Sequence, residues 1–357
     1  MESKGIPSVP PLRMIAWEVT RNCNLSCVHC RASAEMGPYH NELPLEKCIQ
    51  VIDDITSFSA PVIILTGGEP LLREDIFEIA EYGNRRGLRM VMAINGTLLT
   101  PEKAEQIRKA GIRRVSISID GATSTSHDDF RQVEGAFSRA MKGLEYLKKA
   151  GIEFQINTTI TKRNLHELPE IYKLAVSLGA VAHHIFVLVP VGRGKELEEK
   201  QPISPEEYDK VLHWFWEQEK ETPLQLKATC APQYYRIRQE EGGKNLGTNA
   251  DSPSGFDAKT RGCLGGVSFC FISHLGTVAP CGYLELDCGS IRENSLKSIW
   301  TDSPIFRSLR DFKGYEGKCG SCKFVKVCGG CRARAYYGTG SYLNEDPLCS
   351  YQPHGAR

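Results

Sequence analysis

The 357-residue chain is 41% hydrophobic, with 44 Lys and Arg against 43 Asp and Glu, so its formal net charge is +1. That supplies a core for one large domain or two ordinary ones, while the balanced charge, without a Lys or Arg block or an aromatic and basic stripe, gives no sign of a nucleic-acid partner. No run of eighteen apolar residues and no secretory leader occur in the sequence, so a cytoplasmic protein without a membrane partner is expected.

In chain order, MIAWEVT reads as a first strand and is followed by a loop carrying Cys23, Cys27 and Cys30. LEKCIQVIDDITSF then has helical spacing, PVIILTGG is a short buried strand ending in glycine, IFEIAEYGNRRG is helix and LRMVMAING is strand. The alternation continues through helix PEKAEQIRKAG, strand IRRVSISIDG, helix AFSRAMKGLEYLKKAG, strand IEFQINTTI, helix LHELPEIYKLAVSLG and strand AVAHHIFVLVP. Six strands, each but the last followed by a helix, imply right-handed crossovers and a parallel sheet covered on both faces. Periodicity alone leaves an open six-unit barrel and a doubly wound sheet equally available. Both put chemistry at the carboxyl ends of the strands, where Gly67 to Pro70, Asn95, Ser118, Asp120 and Val189 fall.

After Gly192 the alternation stops. SPEEYDKVLHWFWEQEK, with a Ser cap and an apolar stripe, predicts a bridging helix, and EEGGKNLGTNADSPSGFDAKTRG predicts a mobile loop. From Cys263 onward, short elements and dense cysteines predict a small domain held by metal. The chain has 14 cysteines, grouped near its two ends, a metal framework more than a disulfide scaffold. Three thiolates at Cys23, Cys27 and Cys30 fit zinc or iron; on a four-iron cluster they leave one iron open to a chelating small molecule.

The Cys23, Cys27, Cys30 loop together with Gly67-Gly68-Glu69-Pro70 resembles the radical S-adenosylmethionine enzymes over residues 11–200. The resemblance implies a partial (β/α)6 TIM-like barrel, a 4Fe-4S cluster on the three cysteines, and S-adenosylmethionine chelated to its open iron. One electron then cleaves the sulfonium to a 5'-deoxyadenosyl radical that abstracts hydrogen from substrate. Gly67 and Gly68 permit close backbone approach, Glu69 can accept from an ammonium group, and Arg131 can meet a carboxylate bidentately. Asn95, Ser118 and Asp120 offer hydrogen bonds to the ribose or the methionine end. His29 stands where an aromatic residue is usual before the third cysteine.

The tail resembles the auxiliary-cluster domain found behind many radical enzymes: Cys263 and Gly276-x4-Cys281 match, and so do Cys319, Cys322 and Cys328, while Cys331 follows after two residues instead of three. The resemblance implies two auxiliary 4Fe-4S clusters, one being the alternative, grouped as Cys263, Cys270, Cys281 and Cys331, and as Cys319, Cys322, Cys328 and Cys349. Cys48 is expected in the core; Cys230 and Cys288 stay unassigned, and a ligand role for Cys288 would break this grouping. Zinc on the CxxC pairs is the competing reading. The chain thus divides into a flexible start at 1–10, a barrel at 11–200, a bridge at 201–262 and the auxiliary-cluster domain at 263–357.

EVTRNCNLSCVHCRASAE, VPVGRGKEL, CAPQYYRIRQ and CGGCRARAYYGTGSYLNEDPLC resemble the heme b synthases of the siroheme-dependent route across the chain. This implies iron-coproporphyrin III as substrate, two propionates converted to vinyls with loss of carbon dioxide, and auxiliary clusters that accept the leftover electron, with an external low-potential electron donor feeding the chain. A flat disc with carboxylates needs an apolar slot with basic residues at its rim, for which Arg21, Arg163, Arg193 and Lys195 are candidates and Tyr235 a cover for the ring. His183 and His184 read as one core and one surface histidine. The alternatives are a didecarboxysiroheme deacetylase, a heme d1 side-chain enzyme, a peptide-modifying maturase and a non-enzymatic carrier.

Overall fold

The computed structural model describes residues 9–242 and 261–353. Most of the expected flexible start and most of the expected mobile loop lie outside the described residues. Strands β1 (Met14–Thr20), β2 (Val62–Gly67), β3 (Arg89–Ile94), β4 (Arg114–Ser118), β5 (Glu153–Ile160), β6 (Ala182–Val187), β7 (Gln225–Thr229), β8 (Phe269–Ile272) and β9 (Val278–Ala279) form one sheet. Its order is β7-β6-β5-β4-β3-β2-β1-β8-β9. Every pair from β7 to β8 is parallel, and β9 runs antiparallel to β8.

Helices α1 (Leu45–Phe58), α2 (Ile76–Arg85) and α3 (Pro101–Lys109) follow β1, β2 and β3; α4 (Ser124–Arg131) and α5 (Ala136–Lys149) follow β4, and α6 (Leu168–Ser177) follows β5. After β6 come α7 (Gly194–Lys200) and α8 (Pro205–Glu219), and after β7 comes α9 (Gln233–Glu240). The tail adds α10 (Leu296–Asp302), α11 (Pro304–Arg310), the short α12 (Gly317–Gly320) and α13 (Arg332–Thr339). Local chemistry sets the starts: Thr100 caps α3 through Lys103 N–H with Pro101 behind it, and Ser204 with Glu207 makes a reciprocal capping box on α8. α6 begins later than its pattern suggests, because Pro169 lacks an N–H and belongs in the first turn, after a 3-10 turn at Leu165–Glu167.

The two faces of the sheet differ. Ile15, Trp17, Ile63, Leu65, Met90, Met92, Val115 and Ile117 are buried against the helices, whereas alternate residues such as Ile64, Ala93, Ser116, Ser118, Asn157 and His184 are half-buried on the concave face. A period of two therefore separates core from lumen. The expected partial barrel is present, with two additions: the bridge contributes β7, and the tail contributes β8 directly beside β1. Among the described residues no helix is long and apolar enough to cross a membrane.

Candidate functional site

The cysteine loop leaves β1 at the carboxyl end of the sheet. Cys23 and Cys27 are buried, Cys30 is half-buried, and the loop packs with Leu25, Ala32, Ala34 and Ala136. Three donors address the sulfurs: Leu25 N–H to Cys23 Sγ at 3.4 Å, Ala34 N–H to Cys30 Sγ at 3.4 Å and Arg131 Nη1 to Cys27 Sγ at 3.5 Å. Donors of this kind stabilise thiolate charge. Arg193 clamps the same loop, its backbone N–H donating to Cys30 O at 3.0 Å, Nε to Cys27 O at 2.8 Å and Nη2 to Ala34 O at 3.0 Å.

The Gly67 to Glu69 run is pressed against this loop. A Cβ on Gly67, whose φ is +156°, would stand 2.1 Å from Thr20 O, and one on Gly68 would stand 2.2 Å from Asn22 O. Gly68 N–H donates to Thr20 O at 2.8 Å and Glu69 N–H to Asn22 O at 2.7 Å. The glycines are therefore required by the closeness of two backbones. Glu69 is fully buried; Leu71 N–H donates to Oε1 at 3.1 Å and Asn95 N–H to Oε2 at 2.8 Å. Burial pushes its carboxyl up to about 7 against those two bonds. No salt bridge reaches Glu69 among the described residues, so a cation beside it would supply the missing counter-charge.

Asn95 and Asp120 differ from expectation. The Asn95 amide is used inside the protein, Nδ2 donating to Asn24 Oδ1 at 2.9 Å and Oδ1 accepting from Thr97 N–H at 2.8 Å. Asp120 accepts from Thr159 N–H at 2.6 Å and pairs with Arg131. Asn95 thus holds the frame, and Asp120 does so through Oδ1, while its buried Oδ2 has the Arg131 ion pair and no further hydrogen bond. Ser118 is the opposite case: it is half-buried on the concave face, and no hydrogen bond joins its hydroxyl to another of the described residues. Arg131, bound to Asp120 and Cys27, keeps Nε buried without a partner, a donor that costs free energy unless a ligand accepts from it.

The tail thiols fall into two groups. Cys319, Cys322, Cys328 and Cys349 line one cavity. Arg332 Nη2 donates to Cys319 Sγ at 3.3 Å, Phe324 N–H to Cys322 Sγ at 3.4 Å and Gly330 N–H to Cys328 Sγ at 3.4 Å. Cys331 belongs elsewhere, although it is three positions from Cys328. Gly329 and Gly330, at φ +78° and +59°, reverse the chain between them, and Cys331 lies with Cys263, Cys281 and Cys230. Cys270 does not join them. It sits fully buried in β8, in the main core, with Cys288 as its neighbouring thiol.

A radical SAM superfamily model matches residues 17–175, and an iron-sulfur cluster-binding SPASM model matches residues 263–331. The chain is 52% identical to an AdoMet-dependent heme synthase of Methanosarcina barkeri strain Fusaro, covering 96% of this chain and 97% of that protein. Another AdoMet-dependent heme synthase, of Nitratidesulfovibrio vulgaris, is 53% identical over 96% of this chain and 94% of its own length. The chain belongs to the AdoMet-dependent heme synthase family of radical SAM enzymes with a SPASM domain. Identity to an Fe-coproporphyrin III synthase of M. barkeri falls to 32%, over 94% of this chain and 87% of that one. The crystal structure of Streptococcus suis SuiB bound to S-adenosylmethionine shares the fold, with TM-score 0.74, 17% identity, and coverage of 96% of this chain and 77% of that one.

Within this heme synthase family member, the residues expected at the rim separate. Arg163 lines a cavity of about 710 Å³ with Lys162, Lys200, Ser126 and Phe130, and pairs with Asp129. Phe130 stacks on His29 at 4.6 Å between ring centroids, so this cavity touches the cysteine loop. Lys195 lies over the Tyr337 ring at 5.6 Å. Arg21 leans on Glu18 at 3.5 Å, and Arg193 is the clamp described above. Tyr235 is only 5% exposed and packs in the α8 and α9 core, so it does not cover a ring; its aromatic body is worth more buried there. His183 is a core histidine bound to Thr158, while His184 faces the lumen with Nδ1 at 3.0 Å from Gln155.

Four residues carry weight that sequence reading missed. Arg31 pairs with buried Glu18 and donates to Gly282 O at 3.3 Å, joining the cysteine loop to the neighbour of Cys281. Tyr283 packs in the cluster that holds Cys230, Cys281 and Cys331. Arg334 and Asp346 form a fully buried pair, and Arg334 also donates to Cys230 O at 2.8 Å. Each of these contacts is long-range, and nothing in local spacing announces it.

Proposed function

We propose that this chain converts iron-coproporphyrin III to heme by oxidative decarboxylation of two propionates. The observation that carries this is the near-full-length identity of 52% and 53% to AdoMet-dependent heme synthases against 32% to the Fe-coproporphyrin III synthase. The barrel of residues 11–200, the bridge of 201–262 and the auxiliary domain of 263–357 divide the work.

Cys23, Cys27 and Cys30 hold a 4Fe-4S cluster with one open iron. That fits the donor set, since three thiols receive hydrogen bonds at sulfur, the buried Glu69 carboxylate has backbone donors but no salt bridge among the described residues, and the buried Arg131 Nε lacks an acceptor. With S-adenosylmethionine bound, the cluster supplies the hydrogen-abstracting radical. Glu69 meets the ammonium group through lone pairs left by its backbone donors, Arg131 Nε donates to the carboxylate, and Ser118 donates to or accepts from the ribose. Asp120 holds Arg131 in place, and Asn95 holds Asn24 and so the cysteine loop.

Substrate enters against the cavity of about 710 Å³, a volume within the range of small-molecule sites. Lys162, Arg163 and Lys200 put positive charge at its rim for propionates, and Phe130 carries contact inward to His29. Each propionate carboxylate loses one hydrogen atom, one electron and carbon dioxide as it becomes a vinyl group. The two thiol groups of the tail would hold auxiliary 4Fe-4S clusters, whose chemistry would be to accept that electron, and the cluster on Cys23, Cys27 and Cys30 would need an external low-potential donor. Anaerobic turnover of iron-coproporphyrin III by the reconstituted protein tests the proposal; an untouched porphyrin with 5'-deoxyadenosine formed would refute the substrate.

A further inference from the structure

We infer that Cys230, from the bridge, is the fourth thiolate of the auxiliary cluster held by Cys263, Cys281 and Cys331, in the place the spacing pattern gives to Cys270. This rests on the reading of the tail as a cluster-binding domain.

Cys270 faces the wrong way. β8 pairs with β1 in the register Ile15 to Cys270, and Ile15 points into the fully buried helix-side core. Cys270 shares that side with Ile272, while Phe269 and Phe271 take the other. Turning its thiol to the opposite face requires a one-residue slip that would flip every side chain of the strand. The slip would strand Ile272, which is fully buried, on the lumen side.

Cys230 faces the right way at a conformational cost. It follows β7 at the carboxyl end of the sheet, with φ +54°, one of four residues other than glycine at positive φ among those described. A residue with a Cβ is held in that region only where its surroundings over-determine it. The surroundings are visible: Arg334 Nη2 donates to Cys230 O at 2.8 Å, and Asp346 fixes Arg334 through Nε at 2.9 Å and Nη2 at 3.0 Å. The same Asp346 accepts from the Cys331 N–H at 2.8 Å. One carboxylate thus orients the backbone of both cysteines, which pack in one cluster with Cys281. On ligation each thiol gives its proton to solvent. The cluster then staples the end of β7 to the tail, so bridge and auxiliary domain close together as it assembles.

The test uses full-length protein carrying Cys23→Ala, Cys27→Ala and Cys30→Ala, so that only auxiliary clusters remain, with Cys230→Ala or Cys270→Ala added. Iron and acid-labile sulfide are measured after anaerobic reconstitution, with electron paramagnetic resonance after dithionite. The expected result is loss of about half the iron, or a three-iron signal, on Cys230→Ala, and no change on Cys270→Ala. Full iron with Cys230→Ala, or loss with Cys270→Ala alone, would overturn the assignment. A parent protein without sulfide would overturn the cluster reading itself. Alkylation of unmutated holoprotein gives a readout independent of folding of the variants: Cys230 should resist the reagent until a chelator strips the iron and then react, whereas a Cys230 that reacts in holoprotein refutes ligation.

Discussion

The Glu18 carboxylate, fully buried at the concave face of β1, is capped on one oxygen by Arg31 of the cysteine loop and on the other by His274 Nδ1 at 2.6 Å. The first strand and the cysteine loop that follows it therefore meet a third segment, around His274 and 256 positions from Glu18, on one charge. Burial pushes the Glu18 carboxyl up, but Arg31, the His274 hydrogen bond and Arg21 together outweigh it and hold the group at about 2, below its ordinary 4.5.

Replacing this carboxylate by Glu18→Gln leaves the Arg31 charge with only the more distant Glu285 carboxylate at 3.9 Å and should cost about 3 kcal/mol. Because the folded value is depressed, the ionic contribution is fully present above the unfolded carboxylate range and is lost as pH falls toward about 2. The gap between wild type and variant in thermal midpoint should therefore narrow as pH falls below about 4.5. A gap that stays constant down to about pH 3 would contradict the pairing with Arg31.

Arg131→Lys removes the fork that spans Asp120 and Cys27 and the Nε donor beside them. S-adenosylmethionine should bind about 10–100-fold more weakly. Equilibrium binding to reconstituted protein reads this out, and iron content should stay at the wild-type level; unchanged affinity would remove Arg131 from the cofactor site.

Gly68→Ala puts a methyl group 2.2 Å from Asn22 O and 2.6 Å from Arg21 O, both backbone atoms that cannot rotate away. The cysteine loop must shift, and the variant should lose iron from the Cys23, Cys27, Cys30 site while retaining the auxiliary iron. Reconstituted iron content near that of wild type would show the contact to be adjustable.

Arg334 and Asp346 are 3% and 0% exposed at their side chains. Either single substitution to Ala should destabilise by about 3–5 kcal/mol, and the double variant should lose less than the sum of the two. A double-variant cycle on thermal unfolding gives the coupling; strict additivity would mean that the pair does not act as a unit.

The repeating strands and helices were legible because each apolar period matched its local surroundings, as in α1, where Cys48, Val51, Ile52 and Ile55 form the buried stripe. β7 was not, since QLKAT at the sheet edge is short and carries a lysine. That the Cys23, Cys27, Cys30 loop meets the Gly67 to Glu69 run was legible from their places after successive strands, but the bonds of Asn95 and Asp120 were not, because their partners Asn24 and Thr159 come from other loops and strands. Cys270 and Cys230 show the limit most plainly. Spacing counts residues along the chain, whereas the face a strand residue takes is set by pairing with β1, a partner some 250 positions away.

The central claim is tested most directly by anaerobic incubation of the reconstituted protein with reductant, S-adenosylmethionine and iron-coproporphyrin III, following porphyrin mass and 5'-deoxyadenosine together. Stepwise loss of two formic-acid equivalents, each carbon dioxide plus two hydrogens, with one nucleoside formed per step, is the predicted result. Nucleoside formation with the porphyrin mass unchanged, or acetate released from didecarboxysiroheme instead, would contradict it.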